Sequence, residues 1–178
     1  MSPSPPWSDG SPGPRQLHFE RLAASYHAAR PPYPAALFDR LLAERVIGPG
    51  VRVLEVGAGS GEATEDLLAR GCDVVAVEPG PRLGQRLSLA HPGVRVLGGR
   101  VEDVVLPDAA FDAVVAATSM HWVDLGVALP RLHATLRERG LLAVWRTVFG
   151  DPRVQTEFRR RVLEIVARRD EGIRDEDV

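Results

Sequence analysis

The chain has 178 residues, 44% of them hydrophobic and 26% charged, proportions that suit one soluble domain with a real core. Its formal net charge is −2, which excludes bulk electrostatic attraction to nucleic acid or to an anionic membrane. The single cysteine, Cys72, excludes an internal disulfide and a cysteine metal cluster, and no apolar run reaches the roughly 18 residues of a membrane span. No charged segment leads into an apolar stretch at the start, so no secretory signal is expected and a cytoplasmic protein is the default reading.

In chain order, residues 1–14 are dominated by proline, serine and glycine and predict a disordered tail. Residues 15–50 predict a helical cap. Its first helix covers 19–30 and stops at Pro31-Pro32. Its second covers 35–46, opened by Pro34, which suits a first helical turn, with Leu37, Phe38, Leu41 and Leu42 on one face. Gly48-Pro49-Gly50 breaks it. Residues 51–178 then alternate strand and helix. Strands are expected at 51–56, 73–78, 94–97, 111–118 and 141–149. Helices are expected at 62–70, 81–90, 125–139 and 153–169, the third with Asp124 as N-cap and Gly140 as its stop. Near-continuous apolar strands between helices predict an α/β fold: a doubly wound, mainly parallel sheet covered on both faces.

The strongest chemical signal is VLEVGAGSG at 53–61, a glycine-rich turn between a strand and a helix. Such a turn lets a ligand approach backbone that a Cβ would block, at the positive end of the following helix. A dinucleotide fingerprint would read G-x-G-x-x-G and would need glycine at 62, where Glu62 stands; a carboxylate there opposes a pyrophosphate. A phosphate-binding P-loop is excluded because the chain has no lysine. The second signal is Glu78, which ends the second strand. A carboxylate beyond that strand can accept hydrogen bonds from both hydroxyls of a ribose.

VLEVGAGSG followed by VVAVEPG resembles motifs I and II of class I S-adenosylmethionine-dependent methyltransferases. YHAARPPYP at 26–34, VEDVVLPDAAFDAV at 101–114 and the His121-Trp122 pair narrow the resemblance to the small-molecule branch labelled methyltransferase type 11. It extends over about residues 17–149. The resemblance implies a Rossmann-like sheet and S-adenosylmethionine as cofactor. Gly57, Gly59 and Gly61, with Ala58, would line its methionine portion. Glu55 would orient that loop and the cofactor's amino group, and Glu78 and Pro79 would border the ribose. Leu83, Val101 and Glu102 would meet the adenine, and Tyr26 and Arg30 would come from the segment ahead of motif I. Relatives often carry Asp or Ser where this chain has Arg100, and an arginine cannot accept a bond from the adenine amino group. That contact is therefore expected at Glu102, Asp103 or backbone.

The implied reaction is an in-line methyl transfer to a small-molecule acceptor. His121 reads either as a substrate contact or base, or as a residue that packs after the strand, and Trp122 either as pocket wall or as core. Arg30 reads as a partner of the cofactor's carboxylate or of its own helix. The arginines at 159–161 read as a solvated helix face, and no histidine spacing suggests a metal. Relatives of this family carry seven strands, so five strands read as truncation after the fifth. The fifth would then be an exposed edge open to homodimer formation. Two other classes remain: a non-catalytic S-adenosylmethionine-binding module or inactive fragment, and an NAD(P)-binding oxidoreductase.

Overall fold

The computed structural model describes residues 32–148 together with 156, 157, 160, 161, 164 and 165. Tyr26, Arg30, the predicted tail at 1–14, the predicted helix at 19–30 and much of the one at 153–169 lie outside them. The chain divides into two compact units, Met1–Arg146 and Thr147–Val178.

In the first unit, helix α1 (Ala35–Ala43) precedes strand β1 (Arg52–Val56), helix α2 (Glu62–Ala69), strand β2 (Asp73–Glu78), helix α3 (Pro81–Ala90) and strand β3 (Arg95–Gly98). Strand β4 (Phe111–Ala117), a 3-10 turn (Met120–Trp122), helix α4 (Leu125–Thr135) and strand β5 (Leu136–Trp145) follow. The five strands form one sheet in the order β3-β2-β1-β4-β5, and every pairing is parallel. The Rossmann-like α/β class expected from the sequence is what the chain adopts.

The strands are buried on both faces because alternate side chains serve two separate cores. Val53, Val74, Ala76, Ala113 and Val115 pack with Phe38 of α1, Ala63 and Leu67 of α2 and Leu87 of α3. Leu54, Val56, Val75, Val77, Val114 and Ala116 pack on the opposite face with Ala128 and Leu132 of α4. Helix α1 thus shares the core of the sheet, and Arg70 caps its Phe38 ring at 4.8 Å. Strand order reverses between β1 and β4, and in such sheets the crevice beyond the carboxyl ends of those strands is where ligands bind.

Several boundaries differ from expectation: the helix expected over 35–46 ends at Ala43, where the N–H groups of Glu44 and Arg45 close on Arg40 and Leu42, the strand expected over 141–149 ends at Trp145, and the largest shift is at the end of α4. The sequence predicts a helix over 125–139 stopped by Gly140, whereas α4 ends at Thr135 and β5 begins at Leu136. The N–H groups of Ala109 and Ala110 capture the carbonyls of Ala134 and Thr135, the Thr135 hydroxyl donates to Pro107 O, and Arg137 pairs with Asp112 at 2.6 Å. These tertiary contacts end the helix four residues before its predicted end at 139. The Asp124 N-cap is present, its carboxylate accepting from the N–H groups of Gly126 and Val127. In the second unit, Arg160 is exposed and pairs with Glu157 and Glu164, the solvated arrangement expected of this arginine run. No described helix is long and apolar enough to cross a membrane.

Candidate active site

Strand β1 hands over to α2 through Gly57-Ala58-Gly59-Ser60-Gly61. Gly57 and Gly59 have φ of +67° and +62°, the left-handed region that side-chain-bearing residues enter only with strain. Their surroundings differ. A Cβ on Gly57 would lie 2.6 Å from the Cβ of Ser119, so glycine is demanded by the close approach of the β1 and β4 ends. A Cβ on Gly59 would meet only the carboxylate end of Glu62, at 3.5 Å. Gly59 therefore presents open backbone to the crevice. Gly61 is tight again, against Leu87 of α3.

Glu78 closes the loop from the side of β2. One carboxylate oxygen accepts from the Gly59 N–H and the other from the Gly80 N–H, each at 2.7 Å. A carboxylate offers roughly four acceptor positions, so holding these two groups does not exhaust it. Pro79 and Gly80 then lead into α3, where Leu83 is buried in the first turn. Glu55 is buried under the loop and accepts from the Thr64 hydroxyl of α2 at 2.6 Å. Burial pushes its carboxyl up to about 8; the Thr64 hydrogen bond opposes this, and the nearby carboxylates of Glu62 and Glu78 add to it. At neutral pH Glu55 is therefore mostly protonated. The Ser60 hydroxyl donates to Glu62 at 2.7 Å, which keeps a further carboxylate at the loop.

On the other flank, Val101 of the β3–β4 connection is buried in the core with Leu54, Val75 and Val77. Glu102 follows it and accepts from the Arg100 guanidinium at 2.6 Å and from the Asp124 N–H at 2.8 Å. Burial works to raise the Glu102 carboxyl, but Arg100 and the backbone N–H groups outweigh it and hold the group below its usual range. Arg100, the unusual residue of this segment, is thus engaged by Glu102.

Beyond β4 the backbone takes a strained turn. Thr118 has φ of +57°, held by its N–H bond to Trp145 O at 2.7 Å and by a 3.0 Å hydrogen bond between its hydroxyl and that of Tyr33. Such a conformation is costly for a β-branched residue and survives only where its surroundings fix it. Ser119 donates to Val56 O at 2.5 Å, tying the ends of β1 and β4 together. A depression of about 280 Å³ opens beside it, lined among others by Thr118, Ser119, His121, Trp145 and Arg146. His121 is exposed and stacks obliquely with Trp122, ring centroids 4.7 Å apart.

Hydrogen bonds therefore join the glycine loop to Glu78, while Glu55 is buried at the end of β1 against Thr64 and Leu83 is buried in α3. His121 borders the adjoining depression, linked to the loop through Ser119. Thr64, Thr118, Ser119 and Arg146 escaped the sequence reading. Ser119 touches Gly57 only because β4 lies beside β1, and no local pattern signals that contact.

The comparisons agree with this geometry. A family model described as a methyltransferase domain matches residues 54–144. An uncharacterized methyltransferase of Mycobacterium tuberculosis is 38% identical over 160 residues, covering 89% of this chain and 63% of the relative. A candidate Type II methyltransferase structure from Anaeromyxobacter dehalogenans superposes with a TM-score of 0.62 at 34% identity, covering 76% of this chain and 56% of that one. An S-adenosylmethionine-dependent methyltransferase structure from Thermotoga maritima superposes with a TM-score of 0.54 at 28% identity, covering 71% of this chain and 58% of that one. The chain thus spans about three-fifths of the length of the relative it matches. With the glycine loop, the acidic end of β2 and the family match over most of the sheet in agreement, the chain belongs to the class I S-adenosylmethionine-dependent methyltransferases.

Proposed function

We propose that this chain binds S-adenosylmethionine in the crevice between the ends of β1 and β4 and transfers its methyl group to a small-molecule acceptor. The observation that carries the reading is the glycine loop laid over Glu78, with Gly59 open to the crevice. The residues fit the cofactor. Gly59 backbone would pass the methionine portion, Glu78 would take the ribose hydroxyls, and Leu83, Val101 and Glu102 would border the adenine. The carboxylates of Glu62 and Glu78 suit a ligand carrying an ammonium and a sulfonium. The same acidity opposes a pyrophosphate, since the carboxylate of Glu62 lies 3.5 Å from where a Gly59 Cβ would sit. This disfavours the oxidoreductase reading.

When bound, the sulfonium supplies an electrophilic methyl group. The protein's share is then alignment and exclusion of water. Ser119 fixes the spacing of the strand ends, and the depression beside it gives the acceptor a place next to the loop. His121 at its rim is the group available to take a proton from a hydroxyl or amine acceptor.

Isothermal titration of the 178-residue chain with S-adenosylmethionine, S-adenosylhomocysteine and NADH tests the cofactor. Binding of the first two and none of NADH is expected. Glu78→Ala should weaken S-adenosylmethionine by about 1.5–3 kcal/mol, the scale of a charge-assisted hydrogen bond. A folded protein that binds NADH, or binds none of the three, overturns the reading.

A further inference from the structure

The depression beside Ser119 has a polar lining of one sign. Arg146 borders it and has no acidic partner among the described residues, and no aspartate or glutamate appears among the lining side chains. Four other arginines of the first unit are held by carboxylates, Arg52 by Asp73, Arg70 by Asp66 and Asp39, Arg100 by Glu102 and Arg137 by Asp112, whereas the arginine at this depression is left to face it. The position of Arg146 is fixed from behind. The Trp145 ring stands edge-on to Tyr33 and to Phe38, both at 5.8 Å, and the Trp145 carbonyl accepts the Thr118 N–H. Arg146 therefore leaves the end of β5 from an anchored backbone. The two hydroxyls of the lining are spoken for, Thr118 by Tyr33 and Ser119 by Val56 O.

Resting on the proposed methyl transfer, we infer that the acceptor is a small molecule bearing a carboxylate, that Arg146 holds that carboxylate, and that one of its oxygens receives the methyl group. A depression of about 280 Å³ is at the small end of ligand pockets, which suits a compact metabolite. The planar guanidinium matches a carboxylate in charge and geometry. A carboxylate is already ionised at neutral pH, so the reaction asks nothing of a general base. An oxygen lone pair forms the new O–CH3 bond while the S–CH3 bond breaks and its electron pair stays on sulfur. One anion and one sulfonium become a neutral ester and a neutral thioether, and no proton moves.

Butyrate, butyramide and butylamine serve as matched probes. Their binding is measured calorimetrically with and without S-adenosylhomocysteine. Butyrate should bind more tightly than butyramide by about tenfold, the scale of one charge-assisted hydrogen bond. Arg146→Gln should erase that preference and Arg146→Lys should keep most of it. Both variants alter an exposed side chain, and circular dichroism checks their fold. With labelled S-adenosylmethionine, transfer to short carboxylic acids should yield a product that releases labelled methanol in base. Equal binding of butyrate and butyramide, an Arg146→Gln variant that keeps the preference, or base-stable label on an amine overturns the inference while leaving the cofactor reading intact. Failure to bind S-adenosylhomocysteine overturns the cofactor reading and the inference together.

Discussion

Glu55 and Glu78 are carboxyl groups on neighbouring strands, and the structure gives them different work. Glu78 uses both oxygens to gather the N–H groups of Gly59 and Gly80, so it shapes the loop that a ligand would meet. Glu55 is sealed beneath that loop with one hydroxyl partner, Thr64, and its carboxyl sits at about 8 instead of 4.5. This raised value has a definite consequence for stability. Below pH 4.5 the folded and unfolded chains both hold the proton, and nothing is lost. Between about 4.5 and 8 the unfolded chain ionises Glu55 while the folded chain keeps it neutral, so stability falls as pH rises; above 8 the loss is constant. Glu55→Gln removes this dependence while keeping a polar partner for Thr64. Relative to the native chain, the variant should gain stability between pH 5 and pH 8 by on the order of 1 kcal/mol per pH unit. Denaturant unfolding at the two pH values measures it, and parallel profiles for the two proteins would show that Glu55 is ionised within the fold.

At the scale of elements, the site is a product of strand ends that converge. The three loop glycines are equivalent in sequence but not in the fold. Gly57→Ala must accept a left-handed φ and also push against Ser119, whereas Gly59→Ala meets only a flexible carboxylate. The backbone term is about 1–2 kcal/mol at either position, and overpacking adds a further ~1–3 kcal/mol at Gly57 alone. Urea unfolding should therefore rank Gly57→Ala well below Gly59→Ala in stability. Ser119→Gly introduced into Gly57→Ala should recover part of the difference, and no recovery would mean that the β1 and β4 ends do not meet as described. The parts of this site that were legible in the sequence are the local ones: the glycine spacing, the acidic residue closing β2 and the Asp124 cap. Each announces itself within a few residues because turn and cap chemistry is local. What could not be read depends on partners distant in the chain. Ser119 faces Gly57 through the parallel pairing of β1 with β4. The end of α4 shows the same limit: Leu136, Arg137 and Glu138 favour a helix on their own, but pairing with Phe111 and Asp112 draws them into β5. Arg146 matters only because β5 carries it to the mouth of the sheet.

The whole sheet ends on each side with an edge, and the two edges differ in exposure. β3 is short, four residues, and carries a charged residue, Arg95, a combination that discourages further pairing. β5 spans ten residues, and among the described residues no strand pairs with its outer side. Leu141, Leu142 and Val144 on it are 48%, 39% and 51% exposed. Arg137, Glu138 and Arg139 protect its first half by charge, but the half from Leu141 to Trp145 carries none. A long apolar edge with free backbone donors and acceptors is a template for pairing with another chain. The 178-residue protein should therefore self-associate as its concentration rises, through this half of β5. Leu142→Lys places a charge on that edge two strands away from the glycine loop and on the far side of Val144 from Arg146. It should shift the protein toward monomer in sedimentation velocity while leaving the circular dichroism spectrum and cofactor binding unchanged. If the native chain is monomeric across the accessible concentration range, the edge is covered in solution and the pairing argument fails; if Leu142→Lys associates as strongly as the native chain, the contact lies elsewhere on the surface.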